Sequence, residues 1–129
     1  MDVRTILAVA SGAAIGGVLR LLITTLVVGR FGSGLGFYAT LGINVVGSYF
    51  IGFVLGLAQQ RVDFDPLLRV FLAVGVLGGF TTFSSFAYET LRMVTTALAL
   101  TAVLYVSGSV FFGLAAAFLG AETARTISH

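Results

Sequence analysis

Four apolar stretches, each long enough to cross a bilayer, take up nearly all of this chain of 129 residues. They cover approximately residues 3–28, 37–58, 66–93 and 95–119, and a polar tail that we expect to be frayed follows. A membrane helix needs about 20 mostly apolar residues. With 58% hydrophobic and 9% charged residues, the chain has too little polar surface for a soluble globule. The sequence therefore predicts an all-α membrane protein with a single domain, residues 1–129, in a lipid bilayer.

The third stretch contains Gly78-Gly79-Phe80-Thr81-Thr82 near its middle, where helix propensity is lowest. We predict that this helix is broken near residues 78–82, at the bilayer midplane. At that depth, carbonyl oxygens without helical partners are tolerated only in protein or against a cavity. Freed carbonyls are good ligands for Na+, and a glycine kink that serves packing is the alternative. The break is the predicted functional centre. Ahead of it, Asp65 before Pro66 predicts a helix N-cap.

The basic residues are all arginine, and they are scattered along the chain. Nucleic-acid binders gather such residues on one face, so no nucleic-acid partner is expected. Arginine and lysine in short loops set membrane orientation, and the imbalance between the two sides of this protein is weak. Insertion in both orientations, and hence an antiparallel, dual-topology homodimer, is therefore plausible. Three pairs of glycines four residues apart offer close contacts between subunits or within one: Gly12/Gly16, Gly52/Gly56 and Gly75/Gly79.

Polar residues inside the second and fourth stretches follow a spacing of four, which places them on one helix face. They are Thr40, Asn44 and Ser48 in the second stretch, and Thr101, Tyr105, Ser109 and Gly113 in the fourth. Each stretch thus presents a neutral, hydrogen-bonding track. The alternative role is hydrogen bonding between helices. Asn44 favours an ion pathway, because its amide offers two donors suited to an anion.

Four further side chains stand out in the first and third stretches. Arg20 is the only ionisable group deep within a stretch. It is an attractor for anions in a vestibule, a structural donor to backbone carbonyls or an anchor at the membrane surface. Phe83 and Phe86 lie on one helix face, and their electropositive ring edges suit a small anion. Glu89, near the end of the third stretch, is expected to be a capping or interfacial carboxylate, and a residue at the mouth of a pore is the alternative.

The chain resembles the Fluc (CrcB) family of fluoride channels. The matching segments are Gly12-Ala13-Ala14-Ile15-Gly16-Gly17-Val18-Leu19-Arg20, Thr40-Leu41-Gly42-Ile43-Asn44-Val45-Val46-Gly47-Ser48-Tyr49-Phe50 and Gly75-Val76-Leu77-Gly78-Gly79-Phe80-Thr81-Thr82-Phe83-Ser84-Ser85-Phe86. The resemblance implies a dual-topology, antiparallel homodimer with two fluoride pores and a central, structural Na+. The chain differs from some members of the family at Gly113, where those members carry another hydroxyl.

The resemblance also implies roles for individual residues. The carbonyls of Gly78 and Thr81 would bind Na+. Asn44 matches the pore asparagine, and Arg20 matches the arginine near the vestibule. The remaining positions match the paired pore rings, Phe83 and Phe86, and the polar track, Thr40, Tyr105 and Ser109.

The function that the resemblance implies is passive, selective fluoride export through the inner (plasma) membrane of a bacterium, which protects the cytoplasm from fluoride. No enzymatic activity is predicted, and no nucleotide-binding loop is present in the sequence. Two alternatives differ in chemistry. A small proton-coupled multidrug exporter needs a carboxylate in an early span, and the first two spans contain none. A subunit that only supports an assembly would use its polar residues for helix contacts alone.

Overall fold

The computed structural model describes residues 2–128, which form helices joined by short turns. The helices are α1 (Val3–Phe31), α2 (Gly36–Gln60), α3 (Pro66–Arg69), α4 (Gly78–Phe80), α5 (Phe83–Thr95) and α6 (Ala99–Ile127). A 3-10 turn, Ser33–Leu35, precedes α2, and a π-helical stretch, Val70–Leu77, joins α3 to α4. Four segments in this part of the chain are long and apolar enough to cross a membrane. The predicted all-helical class and its four membrane-length helices are confirmed.

The segment Pro66–Thr95, called the third span below, begins as the sequence predicts. The side chain of Asp65 caps it, because Oδ1 accepts hydrogen bonds from the backbone N–H groups of Leu67 (2.7 Å) and Leu68 (3.3 Å). Pro66 occupies the first turn, where its missing N–H costs nothing. The π-helical stretch that follows has a wider turn than an α-helix, and the sequence analysis did not predict it.

Two extended residues interrupt the third span. Thr81 (φ −76°, ψ 156°) and Thr82 (φ −148°, ψ 113°) separate α4 from α5. Gly78 and Gly79, which belong to the predicted break, are helical. These two extended residues lie at the C-terminal end of the region 78–82, and that they break the membrane span there remains a prediction. Their position at the bilayer midplane also remains a prediction.

Close helix contacts in this protein depend on glycine. A Cβ on Gly16 would overlap the carbonyl oxygen of Val76, so α1 packs directly on the backbone of the third span. A Cβ on Gly52 would likewise overlap the carbonyl oxygen of Ala117, which brings α2 against α6. Small residues allow this approach between membrane helices. The predicted glycine pairs thus pack helices of one chain against each other.

Helix directions follow from the same contacts. Gly12 lies beside Phe71 and Gly75, and Gly16 lies beside Val76 and Phe80, so α1 and the third span run in the same direction. Helices α2 and α6 are also parallel to each other, because Gly52 meets Ala117 and Gly56 meets Ala121. The polar tracks of α2 and α6 therefore run side by side.

The C-terminal tail is helical, and the prediction that it frays from residue 120 is wrong. Helix α6 continues to Ile127. Ala124 is fully buried, and its Cβ lies 2.9 Å from the position that a Cβ on Gly56 would take. Packing against α2 therefore stabilises a segment whose polarity suggested disorder.

Candidate functional site

Asn44 on α2 binds the interruption of the third span through both ends of its amide. Its Oδ1 accepts a hydrogen bond from the backbone N–H of Thr82 (2.8 Å), and its Nδ2 donates to the carbonyl oxygen of the same residue (3.0 Å). Thr82 is buried, with 6% of its surface exposed. A buried backbone group needs a partner, so Asn44 stabilises the extended conformation. One N–H of its amide remains beyond this pair.

The interruption diverts two backbone donors from the carbonyls that they would reach in a continuous helix. The N–H of Thr82 would donate to Gly78 O, but it donates to Asn44 Oδ1. The N–H of Ser85 would donate to Thr81 O, but it donates to Thr82 Oγ1 (3.2 Å), which caps α5. The carbonyls of Gly78 and Thr81, which are predicted to bind a cation, thus lose their helical donors. The carbonyls of Gly79 and Phe80 lose theirs too, because the N–H groups of Phe83 and Ser84 lie in the first turn of α5.

Aromatic rings line one side of α5. The ring centroids of Phe83 and Phe86 are 5.7 Å apart, with an angle of 47° between the planes. Phe86 also lies 5.2 Å from the ring of Tyr105 on α6. The two phenylalanines therefore share a face, as predicted. Their surroundings differ, because Phe86 packs against a buried cluster that includes Met93 and Tyr105, whereas Phe83 is 78% exposed.

Glu89 lies between three helices and caps none of them, so the predicted capping role is wrong, whereas a position near the membrane interface stays a prediction. Its Oε1 accepts a hydrogen bond from Thr40 Oγ1 on α2 (2.7 Å), and its Oε2 accepts from the Tyr105 hydroxyl on α6 (2.6 Å). Thr40 and Tyr105 are each only 4% exposed. Glu89 therefore joins the tracks of α2 and α6 to α5. A cavity of about 250 Å³ extends from it, past Arg92 and Thr101, to the turn before α2.

Ser109 provides an unused hydroxyl one turn beyond Tyr105. Its Oγ is buried and forms no hydrogen bond within residues 2–128. A serine in a helix commonly donates to its own backbone, so a buried hydroxyl that does not is free to bind a ligand. It is the one buried side-chain polar atom without a partner in the described part of the chain.

An open cleft of about 330 Å³ lies beside the interruption. Its lining includes both the polar groups and the exposed ring described above: Asn44, Gly47, Ser48, Ile51, Leu77, Gly78, Thr81, Thr82 and Phe83. Arg20 lies one turn after Gly16 on α1 and is half-buried. It has no ion-pair partner within residues 2–128, and its role in a vestibule stays a prediction.

Comparison with known proteins identifies the family of this chain. Residues 7–121 match the family described as CrcB-like protein, Camphor Resistance (CrcB). The chain belongs to the CrcB family. Over 122 residues, covering 95% of this chain and 98% of the relative, it is 45% identical to "Fluoride-specific ion channel FluC" of Roseiflexus sp.. A protein with the same name from a strain of Thermus thermophilus is 46% identical, and the match covers 93% of this chain and 93% of the relative. Another from Chlorobaculum tepidum is 41% identical, and the match covers 97% of this chain and 98% of the relative.

All site residues predicted from the sequence lie within the matched CrcB region. The structure brings Asn44 to the interruption and places Thr40 and Tyr105 around Glu89. Glu89 was named from the sequence but was not placed among the residues of the site. The signal was available, because Glu89 follows Phe86 by three residues and therefore lies on the same face of α5.

The contacts of Glu89 predict that Glu89→Leu destabilises the protein. The hydroxyls of Thr40 and Tyr105 would lose their acceptor while still buried. Each buried, unsatisfied group costs about 1–3 kcal/mol, although Thr40 can turn to its own backbone. Thermal unfolding in detergent micelles measures the change. Glu122→Leu is the matched control, because its side chain is 41% exposed and pairs with Arg125. Equal stability of the two variants would contradict the prediction.

Proposed function

We propose that this protein is a fluoride-selective ion channel that exports fluoride passively across the plasma membrane of a bacterium. The observation that carries the identity of the ion is the similarity to relatives named fluoride-specific ion channels along nearly the whole chain. Fluoride export by this route would protect the cytoplasm from the toxic ion. The proposal makes the protein a transporter and not an enzyme.

A line of neutral hydrogen-bond donors supports an anion pathway. It begins at the cavity beside Glu89, where the hydroxyls of Thr40 and Tyr105 donate to the carboxylate and would have to turn from it to bind an ion. It continues to Ser109 and Asn44, where the buried hydroxyl and the second amide N–H have no partner within residues 2–128. A selective pore has to replace the hydration of the ion without holding it too tightly. Hydroxyl and amide donors satisfy this balance, since they stabilise an anion without a fixed positive charge. The edges of Phe83 and Phe86 would add a weak electropositive wall.

The chemistry of the interruption fits a structural Na+. The carbonyl oxygens of Gly78 and Thr81 are hard, neutral ligands whose usual helical donors bind elsewhere. Na+ favours freed carbonyls of this kind in broken membrane helices. In this proposal the ion neutralises the carbonyl dipoles and fixes the interruption, and it takes no part in fluoride transfer.

Exposure at the interruption supports a second copy of the chain as the partner. Gly78 is exposed, and the Phe83 ring stands 78% exposed beside the polar cleft of Asn44 and Thr82. Lipid could cover the ring but could not hydrogen-bond the nearby polar groups. An antiparallel, dual-topology homodimer would cover both, and each copy would contribute the same two carbonyls to a central Na+.

Fluoride release from proteoliposomes tests the proposal. Vesicles loaded with potassium fluoride and containing the purified protein should release fluoride when valinomycin provides a path for potassium, because passive fluoride flux moves charge. Parallel vesicles loaded with potassium chloride should retain their anion. Release of chloride at a similar rate, or no release of fluoride, would contradict the proposal. Release without valinomycin would indicate coupling to a proton, for which Glu89 is the candidate group.

A further inference from the structure

The polar track of α6 ends before it reaches the cleft beside the interruption. Thr101, Tyr105 and Ser109 follow at intervals of four, but the next position on this face is Gly113, which has no side chain. The space next to Gly113 is open to a Cβ, and its nearest neighbour would be Ser48 Oγ of α2, at 3.6 Å. A hydroxyl from the neighbouring helix thus stands where the next donor of α6 would be.

Ser48 also faces the cleft at the interruption. It lines the cleft together with Asn44 and Phe83, and it is half-buried. Being one turn after Asn44 on α2, it lies on the same face. The hydroxyl of Ser48 therefore adjoins both the end of the α6 track and the groups around Asn44.

We propose that Ser48 supplies the donor that Gly113 lacks, so that the anion pathway passes from α6 to α2 at this point. The inference rests on the proposed channel function and adds an anion-binding residue to it. The ligand is a small, partly dehydrated anion, which in that channel is fluoride.

The hydroxyl of Ser48 can change partner with little disturbance. It donates to the carbonyl oxygen of Asn44 (2.7 Å), which also accepts the backbone N–H of Ser48 in the regular helix. When the hydroxyl turns toward an anion, this carbonyl keeps its backbone donor. Such bonds from serine to its own helix are local alternatives and not obligatory ones. Ser48 can therefore donate to an ion and return afterwards.

Moving the hydroxyl from one helix to the other tests the inference. Ser48→Ala removes the donor, and the double variant Ser48→Ala/Gly113→Ser restores a hydroxyl from the α6 side, where the structure has room for it. We expect Ser48→Ala to lower valinomycin-dependent fluoride release by roughly tenfold or more, since one hydrogen bond to an ion is lost. The double variant should recover most of the rate. The control is Ser11→Ala, because Ser11 also donates to its own helix (Leu7 O, 2.8 Å) but is exposed on α1.

Each result bears on the inference in a defined way. Unchanged release by Ser48→Ala, with a wild-type protein that conducts, would overturn it and leave the channel function intact. A low rate in both the single and the double variant, with normal elution from a sizing column, would also overturn it, because the role of Ser48 would then be to support Asn44. A wild-type protein that releases no fluoride would instead refute the channel function itself.

Discussion

Asn44→Ala should abolish fluoride release and also weaken the fold, because Asn44 holds the interruption together. The substitution removes both partners of the Thr82 backbone, the acceptor of its N–H and a donor to its carbonyl. Thr82 is only 6% exposed, so water in the cleft can replace these bonds only in part. Each lost bond to a buried group costs about 1–3 kcal/mol. Thermal unfolding in detergent and fluoride release from vesicles measure the two effects.

A second substitution separates the structural effect from the effect on the ion. Asn44→Asp keeps an oxygen to accept from the Thr82 N–H, but an ionised carboxylate repels an anion. It should therefore fold better than Asn44→Ala and still conduct poorly. Gln60→Ala is the matched control, since the amide of Gln60 donates to Gly56 O of its own helix (3.2 Å). Normal fluoride release by Asn44→Asp would remove Asn44 from the pathway.

The sequence contained most of the fold because membrane helices are set by local composition. Length and apolarity alone predicted four membrane-length helices, and Asp65-Pro66 predicted where the third span begins. The helical end of α6 was not predicted, because the polar composition of the tail suggested fraying. Its order comes from the burial of Ala124 against α2, which is a tertiary contact. The π-helical stretch was missed for a similar reason, because residue type does not distinguish it from an α-helix.

The sequence predicted most residues of the site, but it predicted their hydrogen-bond partners less well. Spacing on a helix placed Thr40 with Asn44, and Phe83 with Phe86. Spacing could not reveal that one of the two amide N–H groups of Asn44 donates to the carbonyl oxygen of Thr82. Spacing also could not show which groups bind Glu89, because the hydroxyls that donate to it come from two other helices. Contacts between distant segments determine which N–H and O–H groups remain free to bind an ion.

Phe83→Ile should stop most fluoride release while the fold of each chain stays intact. The ring is 78% exposed, so its replacement creates no internal cavity and little change in unfolding temperature is expected. Isoleucine lacks the electropositive ring edge that would stabilise an anion beside Asn44. A rise of about 1.4 kcal/mol in the barrier slows transport roughly tenfold, and we expect a decrease of at least this size.

Phe111→Ile is the matched control for this prediction. Phe111 is 68% exposed on α6, and its ring lies 5.4 Å from that of Phe112, so it also belongs to an exposed aromatic pair. Loss of an exposed ring that does not line the cleft should leave fluoride release unchanged. Similar rates for the two variants would place Phe83 outside the pathway. A loss of transport confined to Phe83→Ile, without a change in unfolding temperature, would show that a side chain unimportant for the stability of one chain is essential for conduction.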